Sequence, residues 1–190
     1  MAVEDLLLTS RRQCCLVCAQ AWDLAEQTCK HTLKVHKDKV QALAWNPAEA
    51  QCLLSGGFDA RACVSDLRTP GASAAWDCGA DVESLAWNPH QPTQFVVSAE
   101  SGRVLCFDTR QGAASAPVYT LQAHDKPTTS VAFNPVVPNL LVSGSVDKTV
   151  RGLSSTPHCT PCDDVLLRAR RDLPVAHPRL RALAAGLQQL

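Results

Sequence analysis

Two histidines, two aspartates and three serines recur in this chain at intervals that could assemble a nucleophile. His36 precedes Ser55 and Asp59, His124 precedes Ser143 and Asp147, and Ser98 stands between the two groups. In acyl transfer a histidine takes the serine proton while a carboxylate orients the ring. One active site needs one such set, yet here the set is written twice with identical intervals. Repetition of that kind points to packing rather than to catalysis. The chain also carries no Gly-x-Ser-x-Gly elbow, no phosphate-cradling glycine loop and no His-Glu-x-x-His pair. The expectation is a protein that is not an enzyme, with no catalytic residue and no cofactor.

Thiolate pairs offer a second chemistry. Cys15-x-x-Cys18 and Cys159-x-x-Cys162 have zinc-ligand spacing, and His158 adds a spare donor. The pairs lie at opposite ends of the chain, far outside ordinary zinc-module spacing, so no metal site is expected. The ten cysteines come without an export signal, since the early run Leu6–Leu8 is short and follows Glu4 and Asp5. Cys52, Cys63 and Cys106 sit inside apolar runs and read as small buried hydrophobes in a reducing, intracellular compartment. Eighteen Lys+Arg against eighteen Asp+Glu argue against a strongly basic grip on phosphate backbones. The clusters Lys34–Lys39 and Arg168–Arg171 read as solvated surface. No run is long enough to span a bilayer as a helix.

The elements that must position these residues announce themselves by repetition. LAWNP occupies Leu43–Pro47 and Leu85–Pro89, and VAFNP occupies Val131–Pro135. Trp45, Trp87 and Phe133 are thus separated by steps of 42 and 46 residues, a period shared by four-stranded propeller blades and some helical repeats. Asn-Pro ends each phrase, which a helix interior would not tolerate. After each phrase come short apolar runs punctuated by Gly and Asp: QCLLSGG then DARACVSD, FVVSA then GRVLCFD, LLVSGS then DKTVR. Strands of about five residues at regular spacing predict an all-β fold.

This pattern resembles the WD-repeat family of β-propellers, whose unit has a His before the inner strand, a Ser/Thr on the second, an Asp in the following turn and a Trp-Asp closing the third. Nine residues before each aromatic stand His36, Cys78 and His124. The serine slot is assigned to Ser55, Ser98 and Ser143, and the turn aspartate to Asp59 and Asp147, with Glu100-Ser101-Gly102 in the middle repeat. Ser65-Asp66 and Phe107-Asp108 close third strands, and Trp22-Asp23 closes an earlier partial unit. The expected role of His36, Ser55, Asp59, Ser98, His124, Ser143 and Asp147 is a structural hydrogen-bond network pinning loops to strands. The stretch Cys29–Leu54, with Trp76, Trp87 and the DLR and DTR strand ends, resembles the periodic tryptophan protein 1 family. That resemblance implies a scaffold for protein or pre-ribosomal ribonucleoprotein assembly in the nucleus and nucleolus, serving rRNA processing or rDNA transcription. It implies no small-molecule substrate and no membrane, and leaves direct nucleic-acid contact open.

Asp66-x-Arg68 and Asp108-x-Arg110 recur one repeat apart, so Arg68 and Arg110 are candidate partner-binding residues on one face. The alternative function is a substrate receptor of a cullin-type ubiquitin ligase, because these sites resemble the Trp-Asp-x-Arg boxes of such receptors with Ser65 and Phe107 in place of Trp. The expected architecture is an all-β, partial WD-repeat propeller of about three to four blades. An atypical segment 1–15 precedes blades at 16–35 (partial), 36–77, 78–123 and 124–151. A non-repeat tail at 152–190 has helix-like spacing over Val165–Arg171 and Arg179–Leu190. A stack with two uncovered faces is expected to be unstable alone or to self-associate.

Overall fold

A computed structural model describes residues 6–9, 17–69, 71, 73–113, 115–154 and 167–168, with backbone only for 6–9, 154 and 167–168. Every regular element among them is a strand, apart from one 3-10 turn at Thr109–Gln111. The strands are β1 (Leu6–Thr9), β2 (Ala19–Asp23), β3 (Thr28–Leu33), β4 (Val40–Trp45), β5 (Cys52–Gly57), β6 (Arg61–Asp66), β7 (Ser73–Asp77) and β8 (Val82–Trp87). They continue with β9 (Gln94–Ala99), β10 (Arg103–Asp108), β11 (Tyr119–Gln122), β12 (Thr128–Phe133), β13 (Leu140–Ser145), β14 (Thr149–Ser154) and β15 (Leu167–Arg168).

These strands form four antiparallel meanders: a three-stranded sheet β1-β2-β3 and three four-stranded sheets, β4–β7, β8–β11 and β12–β15. The partial propeller read from the repeat is the architecture observed. The same backbone irregularity opens each of the last three sheets. Register shifts between Val40 and Ala42, Val82 and Ser84, and Thr128 and Ser130, so each first strand carries a bulge at one repeat position. The second hairpin turn also repeats, with left-handed backbone at Ala60 (φ 58), Gly102 (φ 80) and Lys148 (φ 68).

Two differences from expectation concern the ends. Leu6–Thr9 forms a strand paired with β2, where a segment without blade character was expected. At the other end, the third strand of the last repeat runs on to Ser154, and Leu167–Arg168 pairs with Thr149–Val150 as a fourth strand in place of a helical turn. The expected helix over Arg179–Leu190 lies outside the described residues.

The sheets stack through two apolar cores. Leu54, Ala62, Trp76, Val82, Trp87 and Phe95 belong to the core between the second and third sheets. Val96, Val104, Cys106, Val131 and Leu141 belong to the core between the third and fourth. Trp76 meets Phe95 edge-on at 5.2 Å, and Phe95 stacks on Phe107 at 5.6 Å, an aromatic run that fills the first core. Two indoles also cross between sheets. Trp87 donates to the Ala44 carbonyl on β4 at 3.2 Å and Trp76 to the Gly112 carbonyl in the loop between β10 and β11 at 3.0 Å, so each buried N–H is satisfied by the neighbouring repeat.

Candidate functional site

The polar sets gather at one end of the sheets. His36 lies just before β4 and Asp59 in the β5–β6 turn, with Nδ1 3.0 Å from the carboxylate, while Nε2 lies 2.8 Å from the Ser55 hydroxyl on β5. Asp59 also accepts the Lys37 backbone N–H at 2.9 Å. In the last sheet His124 Nδ1 lies 2.8 Å from Asp147 and Nε2 lies 2.9 Å from Ser143. Both imidazoles are fully shielded, with side-chain exposure of 0%. All their ring nitrogens are engaged by neighbouring side chains.

Thr149 is a member of the last set that the repeat pattern did not suggest. Its hydroxyl donates to Asp147 at 2.6 Å and lies 3.1 Å from His124 Nδ1. Burial by itself pushes the Asp147 carboxyl up, but the Thr149 hydroxyl and amide and the His124 ring outweigh it and hold the group down at about 2. At Asp59 burial again opposes, and the Lys37 amide and His36 ring prevail, leaving the carboxyl below its ordinary value.

The middle repeat corrects one assignment. Ser55 pairs across with Leu43 and Ser143 with Val131, but the residue opposite Leu85 is Val97. Ser98 therefore stands in register with Gly56 and Gly144, and its hydroxyl reaches the Ser84 carbonyl at 3.3 Å instead of a ring. A slip of one residue moves a strand side chain to the opposite face. The middle blade thus pairs Cys78 with Val97 in the slots where its neighbours have His and Ser. Cys78 and Val97 both belong to the apolar core, and burial pushes the Cys78 thiol up to about 12. Burial likewise pushes Cys63 and Cys106 to about 11.

The opposite rim carries the Asn-Pro turns and the Asp-x-Arg corners. Asn46 Oδ1 accepts from the Ala48 and Glu49 backbones, Asn88 from His90, and Asn134 from Val136 and Val137. Each asparagine thereby builds its own turn, which the Pro that follows extends. The turns also touch across sheets: Asn46 donates to the Pro92 carbonyl at 2.9 Å, and His90 Nε2 lies 3.1 Å from the Asn134 carbonyl. Where the three phrases converge, Trp45, Pro47, Trp87, Pro89, Phe133 and Pro135 line an apolar groove of about 360 Å³. Val136, 81% exposed, sits in the turn beside it.

Arg68 and Arg110 share this rim. Each forks onto the aspartate two residues before it. Arg68 reaches Asp66 at 3.0 and 2.8 Å, and Arg110 reaches Asp108 at 3.0 and 2.6 Å. The Arg110 fork holds the Asp108 carboxyl down at about 2. Both guanidinium groups stay outward, at 64% and 69% exposure. The structure therefore shows the local pair, and it leaves each arginine's outer edge accessible. Among the described residues no cluster of His, Cys, Asp and Glu has a metal-binding arrangement. Cys15, Cys159, Cys162 and His158 lie outside the described residues. No described helix is long and apolar enough to cross a membrane.

Comparison with known proteins matches this geometry. The family model described as WD domain, G-beta repeat, matches residues 27–66 and 115–151. Those segments hold the two complete His–Ser–Asp sets, while the Cys78–Val97 blade falls between them. The chain is similar to the periodic tryptophan protein 1 homolog of Drosophila melanogaster, 29% identical over 134 residues, which is 68% of this chain and 29% of the relative. It is similar to periodic tryptophan protein 1 of Saccharomyces cerevisiae, 28% identical over 138 residues, 68% of this chain and 24% of the relative. An uncharacterized WD repeat-containing protein of Schizosaccharomyces pombe is 36% identical over 80 residues, 42% of this chain and 15% of that protein. The match thus spans under a third of these relatives' lengths. The blade-like sheets, the recurring buried polar set and the matched repeats that fall on the blades carrying it support a WD-repeat architecture close to that of the periodic tryptophan protein 1 relatives.

Proposed function

We propose that this chain is a non-enzymatic scaffold that docks protein or ribonucleoprotein partners during ribosome biogenesis in the nucleus and nucleolus, in rRNA processing or rDNA transcription. The observation that carries the docking role is the division of labour between the two rims. The His–Ser–Asp sets are engaged with one another at one rim, and the other rim carries an apolar groove and two exposed arginines. Rigid sheets present that surface, and recognition comes from many small contacts. The similarity to periodic tryptophan protein 1 supports the assembly pathway. The test is localisation of a tagged full-length protein with sucrose-gradient sedimentation of cell extract. Nucleolar signal and co-sedimentation with pre-ribosomal particles are expected; absence from both overturns the reading.

A second reading, a substrate receptor of a cullin-type ubiquitin ligase, is favoured by one observation: Arg68 and Arg110 occupy equivalent, exposed corners on one rim. Capture of the ligase adaptor that is lost in the Arg68→Ala/Arg110→Ala double variant supports it. Capture unchanged by that variant, or no capture, removes it.

A further inference from the structure

Thr69 stands at the corner after β6, and Pro70 follows it in the sequence. Leu67 is the anchor of that corner: its N–H reaches the Gln51 carbonyl at 2.9 Å and its side chain is buried. Arg68 and Thr69 then emerge, both exposed, before β7 begins at Ser73. The Thr69 N–H closes a turn onto the Asp66 carbonyl at 3.3 Å. The two ends of such a turn lie within about 7 Å of each other, so Thr69 stands beside the fork of Asp66 and Arg68.

Asp23, Asp66 and Asp108 each accept a backbone N–H from two residues on, so their corners are equivalent. The residue three positions after each aspartate differs: Glu26, Thr69 and Gln111. At the first corner one cation serves two anions, since Lys30 pairs with Glu26 and lies 3.9 Å from Asp23. An anion in that position, sharing a cation with the closing aspartate, is thus already part of the fold. The second corner has the cation, with Arg68 forked onto Asp66 and 4.0 Å from Glu49, but an uncharged hydroxyl at Thr69. The third has Gln111 there, and its nearby Thr109 hydroxyl is tied to the Thr93 carbonyl at 3.1 Å.

We infer that Thr69 is a phosphorylation site for a proline-directed protein kinase, and that its phosphate pairs with Arg68. A following proline drives the acceptor toward the extended backbone that a kinase cleft takes. The Thr69 hydroxyl oxygen bonds to the γ-phosphorus of ATP as the bond to the β-phosphate oxygen breaks. ADP leaves, and the hydroxyl proton passes to the kinase's catalytic aspartate. The product carries about two negative charges near neutrality, with oxygens to which a guanidinium donates. Arg68 spends Nε and one terminal nitrogen on Asp66, which leaves the other terminal nitrogen for the phosphate. Phosphorylation therefore covers the outward edge of Arg68, while the Arg110 corner, with Gln111, has no matching acceptor. The inference concerns the covalent state of one corner and stands independently of the ribosomal and ligase readings.

Thr156 and Thr160 also precede prolines, so the substrate is the full chain carrying Thr156→Ala/Thr160→Ala. It is incubated with Mg-ATP and a cyclin-dependent kinase, and in parallel with a mitogen-activated kinase, and the phosphate is located by mass spectrometry. Phosphate on Thr69 is expected from at least one of them, and none once Thr69→Ala is added. No phosphate on Thr69 from either kinase overturns the inference. The phosphorylated chain is then titrated by phosphorus NMR with Arg68 in place and with Arg68→Gln, a surface change checked by circular dichroism. The second phosphate proton, lost at about pH 6 in an unstructured chain, is expected to leave at a pH about 0.5 higher in Arg68→Gln than in the parent. Titration at the same pH in both chains shows a phosphate that Arg68 does not hold, and overturns the pairing. The difference is expected to vanish in denaturing urea; one that persists there comes from sequence adjacency alone and overturns the pairing as well.

Discussion

The middle blade's exchange of His and Ser for Cys78 and Val97 makes a quantitative prediction about the last blade. His124→Cys removes a fully shielded ring with contacts to Asp147, Ser143 and Thr149 at 2.8, 2.9 and 3.1 Å, and strands a serine hydroxyl that is 1% exposed. An unsatisfied buried polar group costs about 1–3 kcal/mol, and the lost ring volume adds to it, so about 3–4 kcal/mol is expected. Ser143→Val leaves His124 Nε2 without its partner and should cost about 2 kcal/mol. The double variant reproduces the pair that the neighbouring blade already packs, with no stranded group at that position. It should therefore be less destabilised than the sum by about 1–2 kcal/mol. Urea denaturation of the four chains, followed by tryptophan fluorescence at one fixed protein concentration, gives the cycle. Additivity within about 0.5 kcal/mol would refute the reasoning, because it would mean that ring and hydroxyl are independent.

Ala60→Gly should stabilise the chain by about 0.5–1 kcal/mol, read as a higher denaturation midpoint, because Ala60 sits at φ 58 where Gly102 serves in the next repeat. Gly102→Ala should do the reverse by several-fold more, since its Cβ would meet the His124 carbonyl oxygen at 2.1 Å. Asp147, held at about 2 against an ordinary 3.8, stabilises the fold above about pH 4, and that contribution disappears as pH falls from 3.8 through 2. Asp147→Asn should flatten the acid limb of a stability–pH curve over that window and leave its slope near neutrality unchanged. Thiol labelling at pH 8 should modify exposed Cys29 quickly, with Cys63, Cys78 and Cys106 reacting only on unfolding, because burial raises their pKa to about 11–12.

What the sequence showed and what it hid divide along physical lines. Trp45, Trp87 and Phe133, each followed by Asn-Pro, made the blade period readable, because a β-meander with tight turns repeats its punctuation. His36 and His124 were readable for the same reason. The middle serine was misplaced because Val97 and Ser98 are adjacent and only strand pairing decides which faces the ring slot; counting ten residues from each aromatic would have found Val97. Thr149 carried a faint signal in Asp-x-Thr, absent from Asp59-Ala60-Arg61. The asparagines of the three phrases were read as turn formers, but their contacts to Pro92 and from His90 to Asn134 join separate sheets.

The indoles of Trp87 and Trp76 bear on how the stack yields to force. Each N–H points across a boundary to a carbonyl of the adjoining repeat, Ala44 on β4 and Gly112 in the β10–β11 loop. Sliding one sheet along its neighbour by a residue, about 3.3 Å, would pull both donors off their acceptors together. A small opening of the angle between sheets stretches them far less. The indoles act as shear keys, so the assembly bends like a fan and resists slipping like a deck of cards.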